Sequence, residues 1–370
     1  MNTIALLKKL ISIPSFVDGT NNEAETGEFL MKYIKSRLPN FWIKTQKLNK
    51  NRFNIISGNS QNPKIIFISH MDTVKPNSKT QLVPRISGNK IFGLGAVDMK
   101  GGLAASLSAV ITKCVNKQIA MIFDCDEEYY FKGIKRIIKE FKFKPNIAIF
   151  PEPTDLQIVN GCRGVVEIEF EVIGKTAHGG TPQNGVNAIE KSVELVEFLK
   201  KELIKKDKSF CGKTTVNFSN IKGGRLINNK ITKQANAVPD IAKVLLDIRT
   251  AGKHDSNQIK SIINRIAKVM SIKILNYQTN LDYEGYLTQK TQLKLFERSV
   301  KAVVKKTRCK YLNLSGFSEA ALVSNAWNCP CINFGPGTGK TAHTKDEYVD
   351  ISSLKKTQLV YENFINNYKF

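Results

Sequence analysis

Three short apolar runs in this chain each stop at, or within a few residues of, a histidine or an acid, and this placement limits the fold more than any other feature. Residues 64–69, rich in Ile and Phe, lead directly into His70. Residues 119–124 are followed, past Cys125 and Asp126, by Glu127-Glu128. Residues 146–150 run into Pro151-Glu152-Pro153. Their shortness and β-branching predict buried strands. Strands that deliver polar side chains just past their C-terminal ends are the ones open α/β sheets use to build sites. Gly101-Gly102 opens a small-residue helix over 103–115, so strand and helix alternate. Residues 2–12 and 22–37 have the spacing of amphipathic helices.

The middle of the chain has a different pattern. Over 165–173, Val166, Ile168, Phe170 and Val172 alternate with Glu167, Glu169 and Glu171, as in a strand with one wet face. A long helix over 187–206 follows, then strands at 214–221 and 237–249, a helix at 256–270 and a strand at 271–277. This β-α-β-β-α-β order is the ferredoxin-like pattern. A length of 370 residues suits two domains. The expectation is one α/β domain from 1–164 and 281–370, with a second domain inserted at 165–280. There is no internal repeat and no low-complexity linker.

The net charge of +24 comes mostly from scattered lysines. The densest group, Lys200-Lys201 with Lys205-Lys206-Asp207-Lys208, reads as the exposed face and end of one helix. No groove-reading motif accompanies it, so the expectation is a solvated lysine surface, with no nucleic-acid and no membrane partner. The seven cysteines are an odd number at irregular spacing, with no Cys-x-x-Cys pair. That points to a reduced, cytoplasmic protein. Residues 1–13 are too short and too broken by Lys8-Lys9 for a signal peptide, and no segment approaches a membrane span.

Histidine occurs four times, and three of the four sit in compact motifs. Two of these motifs, around His70 and His343, also hold carboxylates. His70 and Asp72 close the first strand. They could merely cap a turn, or His70 could bind metal while Asp72 accepts its other N–H. Asp98 lies in the glycine-flanked Gly93-Leu94-Gly95-Ala96-Val97-Asp98-Met99-Lys100-Gly101-Gly102. There it could cap the following helix or bridge two cations; the spacing fits neither phosphate-loop pattern. Asp124, Asp126, Glu127 and Glu128 crowd into five residues, either as a solvated turn or as carboxylates awaiting a cation. One Glu is expected as a ligand and the other as a base. Glu152 is fixed between prolines, and His343 follows Gly335-Pro336-Gly337-Thr338-Gly339. The set holds enough N and O ligands for two divalent metals.

Taken in order, these motifs resemble the zinc-dependent amidohydrolase and metallopeptidase family of acetylornithine deacetylase, succinyl-diaminopimelate desuccinylase, aminoacylases and carboxypeptidases. The resemblance runs essentially full length. It includes His70-x-Asp72, the Asp98-Met99-Lys100-Gly101-Gly102 segment, Asp126-Glu127-Glu128, Glu152-Pro153-Thr154, Gly174 and His178, Asn236-Ala237-Val238-Pro239, Asp247-Ile248-Arg249 and Ala342-His343. It implies a mixed-sheet zinc-exopeptidase-like catalytic domain with an inserted ferredoxin-like lid and dimerisation domain. It also implies two Zn2+ per chain, with Co2+ or Mn2+ as substitutes. His70 and Glu152 would hold one ion, Glu128 and His343 the other, and Asp98 would bridge them. Asp72 would orient His70, and Glu127 would be the general base. His178 would donate to the oxyanion in the partner's site of a homodimer. Asn236 and Arg249 would hold the substrate, a small N-acyl amino acid or a short peptide. Leu94 departs from the Arg of many relatives, while Glu319-Ala320 resembles the acetylornithine deacetylase branch. The activity implied is amide hydrolysis of an N-acyl amino acid, with a dipeptidase or carboxypeptidase as the alternative. A non-catalytic binding relative would have lost a ligand or Glu127, and none is lost.

Overall fold

The computed structural model describes residues 1–369 apart from 19, 50, 206–210, 252–253, 305–310 and 315, with backbone alone at 311–314. Lys206, Asp207 and Lys208 of the lysine cluster thus lie outside the described residues. The chain divides into two compact units. One comprises Met1–Gly161, Thr288–Leu312 and Ser318–Phe370; the other comprises Cys162–Leu287 and Asn313–Phe317.

The first unit is built on a mixed sheet. In spatial order its strands run Trp42–Lys47, Phe53–Gly58, Ile119–Asp124, Ile65–His70, Ile147–Phe150, Cys331–Asn333 and Ile158–Cys162. The central strands are buried along their whole length, which is why they read as continuous apolar runs rather than alternating ones. Ile65–His70 lies parallel to both Ile119–Asp124 and Ile147–Phe150. The register pairs His70 with Asp124 and Phe67 with Ile149. All three strands therefore end at the same edge, and the segments after them emerge side by side.

Helices Thr3–Ile11, Lys100–Lys113 and Ile351–Asn367 pack against one another and share the sheet's main core. Tyr361 stands edge-on to Phe67 and Phe334 and donates to the Phe334 carbonyl. Each such fully buried large side chain contributes about 1.5–3 kcal/mol. Asn2 caps the first helix by accepting from Ala5 N at 2.9 Å. A Cβ at Gly102 would fall 1.7 Å from the Pro151 carbonyl oxygen. Glycine there lets the helix after Asp98 close on the loop that carries Glu152.

The second unit is an antiparallel sheet with order Lys230–Thr232, Thr215–Ile227, Ile241–Thr250, Gly164–Ile173 and Lys273–Tyr283. Val166, Ile168, Phe170 and Val172 bury one face against helices Ala188–Lys205 and Ser256–Val269. This is the ferredoxin-like arrangement, with three differences from the sequence reading. The strand expected to stop at 221 continues to Ile227, because Asn228 and Asn229 take left-handed φ of 49° and 61° and turn it into a hairpin. The strand expected from 237 begins at Ile241; residue 238 instead donates its N–H to the Ala177 carbonyl. The last strand runs to Tyr283 rather than 277, its alternating half-exposed pattern offering no apolar run to mark it. Among the described residues no helix is long and apolar enough to cross a membrane, and the cysteines form no disulfide.

Candidate metal centre

The three parallel strand ends deliver His70, the Glu127-Glu128 turn and Glu152 to one place, and the loop before helix Lys100–Lys113 brings Asp98. His70 is 2% exposed. Its Nδ1 lies 3.0 Å from the Asp72 carbonyl oxygen. A carbonyl only accepts, so Nδ1 carries a hydrogen, and Nε2 is the nitrogen left to turn toward the neighbouring carboxylates or a cation. Nε2 faces Asp98 Oδ1 at 3.4 Å and Glu152 Oε1 at 4.0 Å. The other oxygen of Asp98 lies 3.6 Å from His343 Nε2, which is 3.0 Å from Glu128 Oε1. Asp98 thus offers one oxygen to each of two imidazoles. The ligand atoms of His70, Asp98 and Glu128 all fall within 4.8 Å of one another. The helix after Asp98 is capped at Met99 with no side-chain bond, so Asp98 is not its cap.

Asp72 accepts the His70 N–H, and it does so through its backbone. Its backbone carbonyl, not its carboxylate, takes the His70 Nδ1–H; the carboxylate stands 3.7 Å away. The carboxylate instead accepts Glu127 N at 3.2 Å and Glu128 N at 3.0 Å. Once the strand ends, the carbonyl is the closer acceptor, and the side chain is left to hold the neighbouring turn.

Electrostatics follow from this crowding. Burial pulls the His70 imidazole down, but Asp98, Glu127, Glu152 and Asp72 outweigh it and hold it well above its ordinary value. Burial drives Glu127 well above the usual carboxylate range. Repulsion from Glu152, Glu128 and Asp98 adds to this, and His70 opposes it. Burial and Asp98 raise Glu152 in the same direction. Burial lifts Asp72 to about 7. The hydrogen bond with Glu128 lifts His343 to about 9 against burial. Bound cations would invert these preferences by neutralising the carboxylates. The donor set of neutral imidazole and carboxylate oxygens fits divalent metals such as zinc.

The second unit holds the remaining residues singled out in the sequence. His178 and Asn236 are neighbours: Gly179 N donates to the Asn236 carbonyl at 2.7 Å, and His178 bridges to Ala237. His178 is exposed and accepts Gly180 N at its Nδ1, 3.0 Å away. Arg249 is already engaged, its Nε and Nη2 donating to Asp247 at 2.7 and 2.8 Å.

The model of peptidase family M20/M25/M40 matches residues 66–367, which span every metal-centre residue above. The chain belongs to this family. It is 29% identical to acetylornithine deacetylase of Buchnera aphidicola subsp. Schizaphis graminum, over 99% of this chain and 97% of that one. It is also 29% identical to succinyl-diaminopimelate desuccinylase of Pelagibacter ubique, over 99% of both. Among solved structures, aminopeptidase PepT of Bacillus cereus shares the fold with a TM-score of 0.79, at 22% identity over 99% of this chain and 97% of that one.

Within this M20 chain, sequence reasoning missed the contacts of two buried residues beside the candidate ligands. The Glu347 carboxylate accepts Gly95 N, Val97 N and Asp98 N at 3.0, 3.0 and 3.2 Å, clamping the Asp98 loop. Lys100, 2% exposed, donates to the Leu10 and Ile13 carbonyls at 3.0 Å. Burial pulls it down to about 7 despite Glu347. Both residues sit inside motifs the sequence displayed, yet nothing local announced their partners. Glu319, read as a branch marker, is 3% exposed in the first turn of helix Glu319–Trp327.

Proposed function

We propose that this chain hydrolyses the amide bond of a small N-acyl amino acid at a centre holding two zinc ions. The observation that carries the reading is Asp98, with one carboxylate oxygen toward His70 and the other toward His343. In this reading, His70 and Glu152 would hold one ion, Glu128 and His343 the other, and Asp98 would contribute to both. Zinc bound there supplies Lewis-acid polarisation and lowers the pKa of water toward about 7. Co2+ or Mn2+ would serve the same ligands.

The residues of the chain divide the remaining work. Glu127, whose carboxylate takes no hydrogen bond from the described residues, accepts a proton from the attacking water. It passes that proton to the nitrogen as the C–N bond breaks, giving a carboxylic acid and an amine, which ionise to carboxylate and ammonium. Asp72 holds the Glu127 and Glu128 amides, and through its carbonyl it fixes the His70 tautomer. His178 donates to the developing oxyanion, and Asn236 and Arg249 bind the substrate's polar ends. For Arg249 this requires sharing its guanidinium with Asp247. We place the enzyme in the cytoplasm as a homodimer in which His178 serves the partner's site. Mixing inactive Glu127→Gln chains with inactive His178→Ala chains should then restore activity at one of the two sites of each heterodimer. No recovery on subunit exchange sinks the trans arrangement.

Similarity to a deacetylase and a desuccinylase over the full length supports an acyl amino acid substrate. The family's peptidase members support the second reading, a dipeptidase or carboxypeptidase. A hydrolysis panel decides between them, with zinc-loaded protein on N-acetylornithine, N-succinyl-diaminopimelate, other N-acyl amino acids and dipeptides. Turnover of N-acyl amino acids is expected; turnover of dipeptides alone reverses the order.

A further inference from the structure

We infer that Arg52 is a positioning residue for the turn that carries Glu127 and Glu128, acting through Glu23 and Asp126. The inference rests on the two-metal reading above and extends it to residues outside the ligand set. Three segments far apart in sequence meet behind the turn. Arg52 stands just before strand Phe53–Gly58, and Glu23 just before helix Ala24–Arg37. Arg52 Nε and Nη2 donate to the two oxygens of Glu23 at 2.9 and 2.6 Å. Nη2 also lies 2.8 Å from Asp126 Oδ1. The side chains of Glu23 and Asp126 are 1% and 2% exposed and that of Arg52 is 11% exposed, so solvent screens this group little.

The group holds backbone as well as charge. Glu23 Oε1 accepts Asp126 N at 3.2 Å, and Asp126 takes a left-handed φ of 75°. The Asp126 carbonyl accepts Tyr130 N and Phe131 N, closing the turn on its far side. Asp72 accepts the next two amides, Glu127 N and Glu128 N. Three consecutive N–H groups are therefore spent on two buried carboxylates, and Arg52 is the cation that lets Glu23 and Asp126 stand beside Asp72, Glu127 and Glu128. A non-glycine residue at positive φ persists only where its surroundings over-determine it. Only a planar guanidinium can grip two oxygens of one carboxylate while touching a second; an ammonium at the same place keeps the charge and loses the fork.

If Arg52 sets this turn, its loss should act on one half of the centre. Glu128 belongs to the ion shared with His343, whereas His70 and Glu152 hang on other strand ends. The test is zinc titration of metal-stripped protein against a competing chelator, alongside steady-state kinetics, for wild type, Arg52→Lys, Glu23→Gln, Arg52→Met and the double variant Glu23→Gln/Arg52→Met. Arg52→Lys is expected to weaken the second zinc equivalent and kcat roughly 10–100-fold, with the first equivalent and KM held within about threefold. Glu23→Gln/Arg52→Met, which strands less charge than Arg52→Met alone, should lose no more than the sum of its single variants. Two undiminished equivalents with unchanged kcat in Arg52→Lys overturn the inference. So does equal weakening of both equivalents with a matching fall in melting temperature, which marks a general fold determinant. A wild type that binds fewer than two equivalents instead defeats the two-metal reading itself.

Discussion

Both units set acids beside bases, but they treat them in opposite ways. In the second unit the charges on the sheet satisfy one another locally, even where, as at Glu171, the carboxylate is only 9% exposed. Glu171 pairs with Lys243 at 2.9 Å, and Asp247 with Arg249 at 2.7 Å. The pairing with Lys243 and Asn276 holds Glu171 below its ordinary value even though burial pushes it up. In the first unit five carboxylates crowd two imidazoles in a largely buried space, and Glu127, Glu152 and Asp72 are all pushed upward. Locally paired charges of the first kind, each with an exposed or half-exposed cation, ask for nothing further. A crowd of the second kind is stable only with protons or cations added, and perturbed groups of this sort collect at functional sites.

The comparison breaks most visibly at Asp98. Asp98→Ala removes the residue that faces both imidazoles. It should cut kcat by at least about a thousandfold and leave metal-stripped protein unable to take up two zinc equivalents. Metal analysis after reconstitution checks it. Retention of both ions would put the bridging role elsewhere.

A smaller effect sharpens the contrast through pH. Asp72 is raised from 3.8 to about 7 in the metal-free fold, and His343 from 6.5 to about 9. A raised group stabilises the fold fully below its unfolded pKa, and that contribution is lost as pH climbs through the folded one. The loss for Asp72 therefore runs from about pH 4 to 7, and for His343 from about 6.5 to 9. Metal-free protein should melt lower as pH rises from about 5 to 8, whereas zinc-loaded protein, its ligands already deprotonated, should not. Melting curves with and without chelator would show a zinc-induced gain that widens with pH. A gain independent of pH contradicts the crowded-carboxylate account.

The smallest effect belongs to the other unit. Lys243→Ala should change stability by less than about 1 kcal/mol and leave zinc affinity untouched. A large loss of either would mean that the charges of this sheet do not satisfy one another locally.

How much of this was legible depended on distance along the chain. His70, Glu127-Glu128 and Glu152 could be read because each follows an apolar run within a few residues, so the strand and its cargo appear together. Asp98 and His343 were legible through their glycine-rich surroundings. Glu347 was not, because the amides it clamps lie about 250 residues earlier. Glu23 and Arg52 were silent for the same reason: they meet Asp126 only after the sheet has formed. That Asp72 accepts the His70 N–H through its carbonyl, leaving its carboxylate to the next turn, was not legible, because a two-residue spacing does not say which oxygen reaches the imidazole. In the second unit the alternation at Gly164–Ile173 was plain, whereas Lys273–Tyr283 is half exposed along its length and faded into loop.

The central claim is that Glu127 moves the proton while Glu128 holds metal. It is tested most directly by measuring kcat and zinc content together on Glu127→Gln and Glu128→Gln. Glu127→Gln should keep two zinc equivalents and lose roughly 10²–10⁴-fold in kcat, while Glu128→Gln should lose zinc affinity first. Zinc lost from Glu127→Gln and retained by Glu128→Gln would reverse the two assignments and contradict the account.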